Sequence, residues 1–331
     1  MKKLFLGTAI AVPLLAAGAA WADCGDLTIA SMNWQSAELM ANLDQIILNE
    51  GYGCKAEIIV GDTVPSITSL VEKGKPEVVP EAWVDLLPEI VAGGLKDGKI
   101  VELARSLSDG GQQGWFIPKY MVEEHPGLNK ISEILAHPEL FPAPEDSSKG
   151  AVYNGPQGWG GTTVTTQMAK AFDIEGKGFT LVDTGSAAGL DGSMAKAYEQ
   201  KQPWLGFYWA PTSMLGKYDM VPVDFEVPFD SAEWKRCTSV ADCADPKPNS
   251  WPVDNVFTLV AKGFADKADP AVIDYLNKRS WGNETVNKMM AWMTDNQATG
   301  EEGAKEFLRT HEDMWTKWVS PEAAEKIKAS L

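Results

Sequence analysis

From residue 27 onward, short continuous apolar runs alternate with stretches in which apolar side chains recur every three or four positions. Residues 27–32 form the first apolar run and read as a strand. Residues 36–49 follow, with Leu39, Met40, Leu43, Ile46 and Ile47 at helical spacing, and Gly51 and Gly53 supply a helix stop. Residues 56–60 read as a second strand. A helix is predicted over 65–73, with Ile67, Leu70 and Val71 on one face, then a strand over 78–83 and a short helix from Pro88 to Gly93. This β-α-β-α-β order predicts a parallel sheet with helices on both faces.

A second α/β unit is predicted after the glycine-rich run 110–114. Its strands are expected at 115–118, 151–153, 180–182, 205–209 and 220–227, and its helices at 162–172 and 186–200. Residues 230–253, rich in Pro, Asp, Ser and Lys, read as a surface excursion. Residues 256–262 read as a strand returning to the first unit. Helices are expected over 269–279, 283–294, 301–319 and 321–331. The predicted organisation is therefore a leader at 1–22, one lobe from 23–114 plus 256–331, and a second lobe from 115–255. Two α/β lobes joined by two crossings make a hinge, and ligands of such folds bind in the interlobe cleft near the carboxyl ends of strands.

The leader has Lys2 and Lys3 before an apolar segment too short to span a bilayer, then the small-x-small cleavage pattern Ala20-Trp21-Ala22. It predicts export to the periplasm without membrane insertion. Export makes the four cysteines candidates for disulfides rather than thiols. Three pairings are open to four cysteines. Cys24 and Cys54 each precede a strand, and Cys237 and Cys243 bracket a short loop, so Cys24–Cys54 and Cys237–Cys243 are favoured. Zinc is the disfavoured rival, because the spacing is not CxxC and only three histidines exist. With 46 acidic against 29 basic side chains, the formal net charge is −17. That excludes nucleic acid and anionic membrane surfaces as natural partners and is compatible with a cationic or zwitterionic one.

The chain holds 13 Trp, more than its 11 Phe or 7 Tyr. Four of them fall at predicted strand-to-helix junctions, two in each lobe: Trp34 after the first strand, Trp83 ending the third, Trp159 in Gly155-Pro-Gln-Gly-Trp159-Gly-Gly161, and Trp209 ending Gly206-Phe-Tyr-Trp209. That placement directs them into one cleft. Trp115 and Trp204 are further candidates, as compatible with structural packing as with binding. Several indole faces around one space suit a cation that lacks N–H donors, at ~0.5–2 kcal/mol per face. Gly160 and Gly161 open a predicted helix, whose free N–H groups suit a carboxylate or oxide.

These motifs resemble the substrate-binding proteins of ABC transporters for quaternary amines, over essentially the whole chain after the leader. The resemblance rests on Trp83 in Glu-Ala-Trp-Val-Asp, Trp159 in Gly-Trp-Gly-Gly and Trp209 in Phe-Tyr-Trp-Ala-Pro. It implies a two-lobed periplasmic binding protein of type II-like fold, with those three indoles as walls of an aromatic box. It implies that the amides of Gly160 and Gly161 hold a ligand carboxylate. Trp34 looks like the first box Trp of the choline-binding branch. That branch carries an Asp two residues later, where this chain has Ser36. A four-Trp cage is similar to that of trimethylamine N-oxide binders. The implied partners are a small methylated amine (glycine betaine, trimethylamine N-oxide, proline betaine or choline) and the permease of an ABC transporter.

No GxSxG, HExxH or P-loop motif is present, so no enzyme activity and no cofactor are expected. A polar-solute or amino-acid binder of the same fold is the alternative, with an exported hydrolase far behind. His125, His137 and His311 are expected at the surface. Asp242 and Asp245 in the Cys loop, with Asp224, Glu226 and Asp230 upstream, could offer oxygens to Ca²⁺. The EF-hand spacing is absent, so a solvated acidic surface is the favoured reading of them.

Overall fold

The first three strands of the chain form where the apolar runs lie, and a fourth follows them. In the computed structural model, which describes residues 24–331, they are β1 (Asp26–Met32), β2 (Lys55–Gly61), β3 (Val78–Trp83) and β4 (Ile100–Arg105). The predicted leader lies outside the described residues. The later strands are β5 (Gly111–Pro118), β6 (Gly150–Asn154), β7 (Phe179–Asp183), β8 (Gly206–Ala210), β9 (Met220–Pro222), β10 (Val253–Asp254) and β11 (Val256–Ala261).

Two sheets result. The first has order β2-β1-β3-β11-β4; the second has order β10-β5-β8-β6-β7, with β9 also pairing β5. β1 is parallel to β2 and β3, as the β-α-β pattern requires, but β11 enters antiparallel between β3 and β4. β4 was not anticipated. It is an edge strand whose sole neighbour in the sheet, β11, lies about 150 residues further along the chain, so its short half-buried run carries little local signal. In the second sheet β6 is parallel to β7 and β8, while β5 runs against β8.

The chain passes from the first sheet to the second between Arg105 and Gly111, and back between Asp254 and Val256. The glycine-rich run expected to join the lobes is thus already strand: Gln112 and Gln113 pair with Ala210 and Trp209. Three further expectations are corrected. The strand over 220–227 stops at Pro222, which lacks an N–H, and Phe225 beyond it packs its ring on Trp115 at 5.4 Å. The helix over 301–319 breaks at His311. Helix Gly300–Thr310 ends there, and the Trp315 indole donates to the carbonyl of Leu308, a last-turn acceptor. Residues 230–253 are not merely a surface excursion: Trp234 and Asn249 within them are buried.

Cys24 is bonded to Cys54 and Cys237 to Cys243. The first bond follows from register, because Asp26 stands beside Lys55 at the parallel start of β1 and β2. Helix Thr63–Lys73 ends on Gly74 at φ +68°, a left-handed turn that favours glycine.

β3 carries the feature that shapes the site. All six of its residues are buried, yet it contains Pro80 and Glu81. Proline cannot donate to a sheet ladder. The register with β11 shifts there: Leu259 pairs with Val79 and Phe257 with Ala82, so two residues of β3 oppose Thr258 alone. The Pro80 carbonyl instead accepts from Ser106 Oγ at 2.5 Å and from Arg279 at 3.2 Å. Arg279 is fully buried. Its Nε lies 2.7 Å from Asp44 Oδ1, which also accepts from Tyr275 Oη at 2.5 Å. Burial pushes the Asp44 carboxyl above its usual range, against the pull of Arg279.

Candidate functional site

The site is built where strand ends from both sheets meet. Trp34 follows β1 and caps helix Gln35–Ile46, and Trp83 ends β3. Trp159 precedes helix Gly160–Ala171, and Trp209 lies in β8. The structure brings all four indoles around one narrow cavity, with Thr63, Leu86, Gln113, Gly161 and Phe207 completing its lining. No lining residue is charged.

The walls stand at right angles. Trp159 meets Trp34 edge-on, with centroids 5.6 Å apart and planes at 83°, and meets Trp209 at 5.1 Å and 89°. Such T-shaped pairs place the positive edge of one ring on the negative face of another. Each indole is also tethered or wedged. Trp34 Nε1 and Trp83 Nε1 donate to the same oxygen, Glu81 Oε1, at 2.8 and 3.0 Å, and Ser36 Oγ donates to it at 3.1 Å. Trp159 Nε1 donates to Asn33 Oδ1 at 2.5 Å. Trp209 stacks on Tyr208 at 4.7 Å.

Glycines permit these approaches. A Cβ on Gly111 would lie 2.1 Å from Trp83 Cζ3, and one on Gly161 would lie 2.3 Å from Phe207 Cζ. Gly111→Ala should therefore displace the Trp83 ring. It is expected to weaken ligand binding about tenfold, measured by calorimetric titration, and unaltered affinity would show that the ring yields freely. Helix Gly160–Ala171 has no side-chain cap, and its first N–H groups have no intrahelical partner. Gly161, in that first turn, lines the cavity.

The two halves touch across the cavity. Besides Asn33 with Trp159, the Val64 amide donates to the Gly158 carbonyl at 3.1 Å, and Trp234 Nε1 donates to the Asp85 carbonyl at 2.6 Å. Gln113 Nε2 donates to Asp254 Oδ2 at 2.9 Å, linking the two crossings. Burial pushes the Asp254 carboxyl up to about 8.

Trp115 and Trp204 do not line the cavity. Trp115 is fully buried against Phe225. Trp204 stacks on Tyr153 at 5.8 Å and donates to Ser193 Oγ at 3.0 Å. Both serve the core of the second half. Asp242 and Asp245 are not gathered for a cation. Among the described residues, the grouped metal-ligand atoms are those of Cys237, Cys243 and Asp245, but the two sulfurs are bonded to each other. Asp245 is ion-paired with Arg236 at 3.0 Å. Asp224 Oδ1 and Asp230 Oδ1 accept backbone N–H groups close by in sequence. His125 and His137 are exposed, whereas His311 is half-buried and stacked on Phe307 at 4.9 Å.

Sequence reasoning missed Glu81, Gln113 and Asn33. Only Glu81 left a local signal, an acidic residue inside an apolar strand, two positions before Trp83 and so on its side of a regular strand.

Two α/β halves that share a small, uncharged, aromatic cavity define a two-lobed solute-binding protein. The chain belongs to the family described as the substrate binding domain of ABC-type glycine betaine transport systems, which matches residues 25–310. It is a binding protein of that transport machinery and not an enzyme. It is 23% identical over 298 residues to the trimethylamine N-oxide-binding protein of Pelagibacter ubique (strain HTCC1062), covering 88% of this chain and 89% of that one. In fold it is similar to the glycine betaine/L-proline-binding protein ProX of Borrelia burgdorferi, with a TM-score of 0.72 and 19% identity over 91% of this chain and 99% of that one. It is equally similar to an ABC-transporter choline-binding protein in complex with choline, at TM-score 0.72 and 18% identity over 93% and 98% of the two chains. Among the described residues no helix is long and apolar enough to cross a membrane.

Proposed function

We propose that this protein captures a compact methylated amine carrying its own anionic oxygen, of the trimethylamine N-oxide or glycine betaine type, and presents it to an ABC permease. The carrying observation is the union of four indoles in a cavity without a charged wall. A methylated ammonium group cannot be held by N–H donors of its own, so it is bound by the negative ring faces. Its anionic end would reach the amides that open helix Gly160–Ala171, where the helix dipole favours negative charge. A net cation such as choline has no anion to place there. The lobes are 24–110 with 256–331, and 111–255. Each contributes two of the walls, so ligand favours the arrangement in which the halves meet. The N-terminal pattern at 1–22 supports export, and the two disulfides suit the periplasm.

Calorimetric titration with trimethylamine N-oxide, glycine betaine, proline betaine and choline tests this. The expected outcome is micromolar or tighter binding of one of the first two, with choline at least tenfold weaker. Binding to none of the four would overturn the reading.

A further inference from the structure

Glu81 lies one layer behind the cage. It is 1% exposed, is not part of the cavity lining, and carries the only carboxylate that the cage indoles touch through their N–H groups among the described residues. Three donors converge on its Oε1, from Trp34, Trp83 and Ser36. Its Oε2 is buried and has no partner. The countercharge that acts on it is Arg279, but that guanidinium is already engaged by Asp44 at 2.7 Å and by Thr258 Oγ1 at 2.7 Å. With both acids ionised, Glu81 and Asp44 share one buried cation, which leaves one negative charge uncompensated beneath the cage.

An indole whose N–H donates to a carboxylate is polarised. Electron density moves into the ring, and its face becomes a better partner for a cation. The two rings joined to Glu81 come from different segments, the end of β1 and the end of β3. One carboxylate therefore fixes the angle of two walls and biases both faces.

We propose that Glu81 is the positioning and specificity-determining residue of the cage: its buried negative charge, relayed through the N–H edges of Trp34 and Trp83, makes the cavity prefer a cationic head over a neutral head of the same shape. This rests on the methylated-amine reading above and adds the origin of its charge discrimination. The preference needs Glu81 ionised. Burial raises its carboxyl above the usual range, while the hydrogen bonds from Trp34, Trp83 and Ser36 and the charge of Arg279 oppose that shift. The charged and titratable groups on this side are Arg279 at the end of helix Pro270–Lys278, with Asp44 and Tyr275 beyond it. A bound cation favours the ionised form, so the preference is lost as pH falls through the Glu81 range.

The test compares glycine betaine with 3,3-dimethylbutanoate, in which carbon replaces the ammonium nitrogen, in wild-type, Glu81→Gln and Glu81→Leu proteins. Glutamine keeps an oxygen for both indoles and removes only the charge. The expected result is that Glu81→Gln lowers the betaine-to-isostere affinity ratio at least tenfold. It should also abolish the fall of that ratio with falling pH that is expected of wild type over the range where the isostere's own carboxylate stays ionised. Glu81→Leu, which loses the tether too, should weaken both ligands. Wild type binding betaine with a ratio that is unaltered in Glu81→Gln and independent of pH would overturn this inference alone. Wild type binding no methylated amine would overturn it together with the reading on which it rests. Should Glu81→Gln fail to fold, the wild-type pH profile, read only where the isostere's carboxylate stays ionised, decides by itself: a flat ratio there overturns the proposal.

Discussion

Trp159→Ala is expected to weaken binding of the methylated amine by about thirty- to a hundredfold. Trp159 is the wall that touches both Trp34 and Trp209, and its N–H crosses to Asn33 in the other half. Losing one desolvated cation–π face removes about 1–2 kcal/mol. Losing the cross-lobe hydrogen bond removes about 1 kcal/mol more. Together these correspond to about one and a half to two decades in Kd. Trp159→Phe keeps a ring and loses the N–H, so it should fall between the two. Calorimetric titration supplies the affinities, and circular dichroism shows whether the variants remain folded. A loss below threefold for Trp159→Ala would show that the ligand sits elsewhere.

The largest effect on stability is expected at Arg279. Removing one member of a buried ion pair leaves the other charge unpaired, typically at about 3–5 kcal/mol. Here Asp44 would lose its cation and Glu81 the positive charge that acts on it, both in a region closed to water. Arg279→Met, which keeps much of the side-chain length, should therefore lower the urea midpoint sharply. The Asp44 carboxyl is raised above its unfolded value, so its folded form prefers the proton. Its contribution to stability is complete below the unfolded pKa and declines as pH rises through the folded one. The deficit of Arg279→Met should accordingly be smallest in acid and grow toward neutral pH. A deficit below about 1 kcal/mol at neutral pH would mean that water reaches the pair.

How far the sequence reveals this molecule depends on how local each determinant is. β3 coincides with its predicted span because an apolar run bounded by Lys75-Pro76 and Asp85 needs no distant partner to be recognised. The gathering of four indoles around one cavity was legible because strand ends of an α/β fold face the cleft, and Trp is an unusual residue to find at four of them. β4 was not legible, since β11 creates it. Nor was the Arg279–Asp44 pair, which joins two helices more than two hundred residues apart in sequence. Asn33 and Gln113 are ordinary polar residues until folding sets one against Trp159 and the other beside Trp209. Trp115 and Trp204 show the opposite limit. Their position near the crossings and at a strand start suited either role, and packing decided for the core.

Each half of the chain supplies two of the four indoles that line the cavity, so on the proposed reading neither half holds a complete receptor. The measured dissociation constant is then the intrinsic one divided by the fraction of molecules whose halves have already met. Two short segments, between Arg105 and Gly111 and between Asp254 and Val256, govern that fraction. Affinity is consequently a property that can drift by substitution at these joints, in either direction, with every atom that touches the solute left as it is.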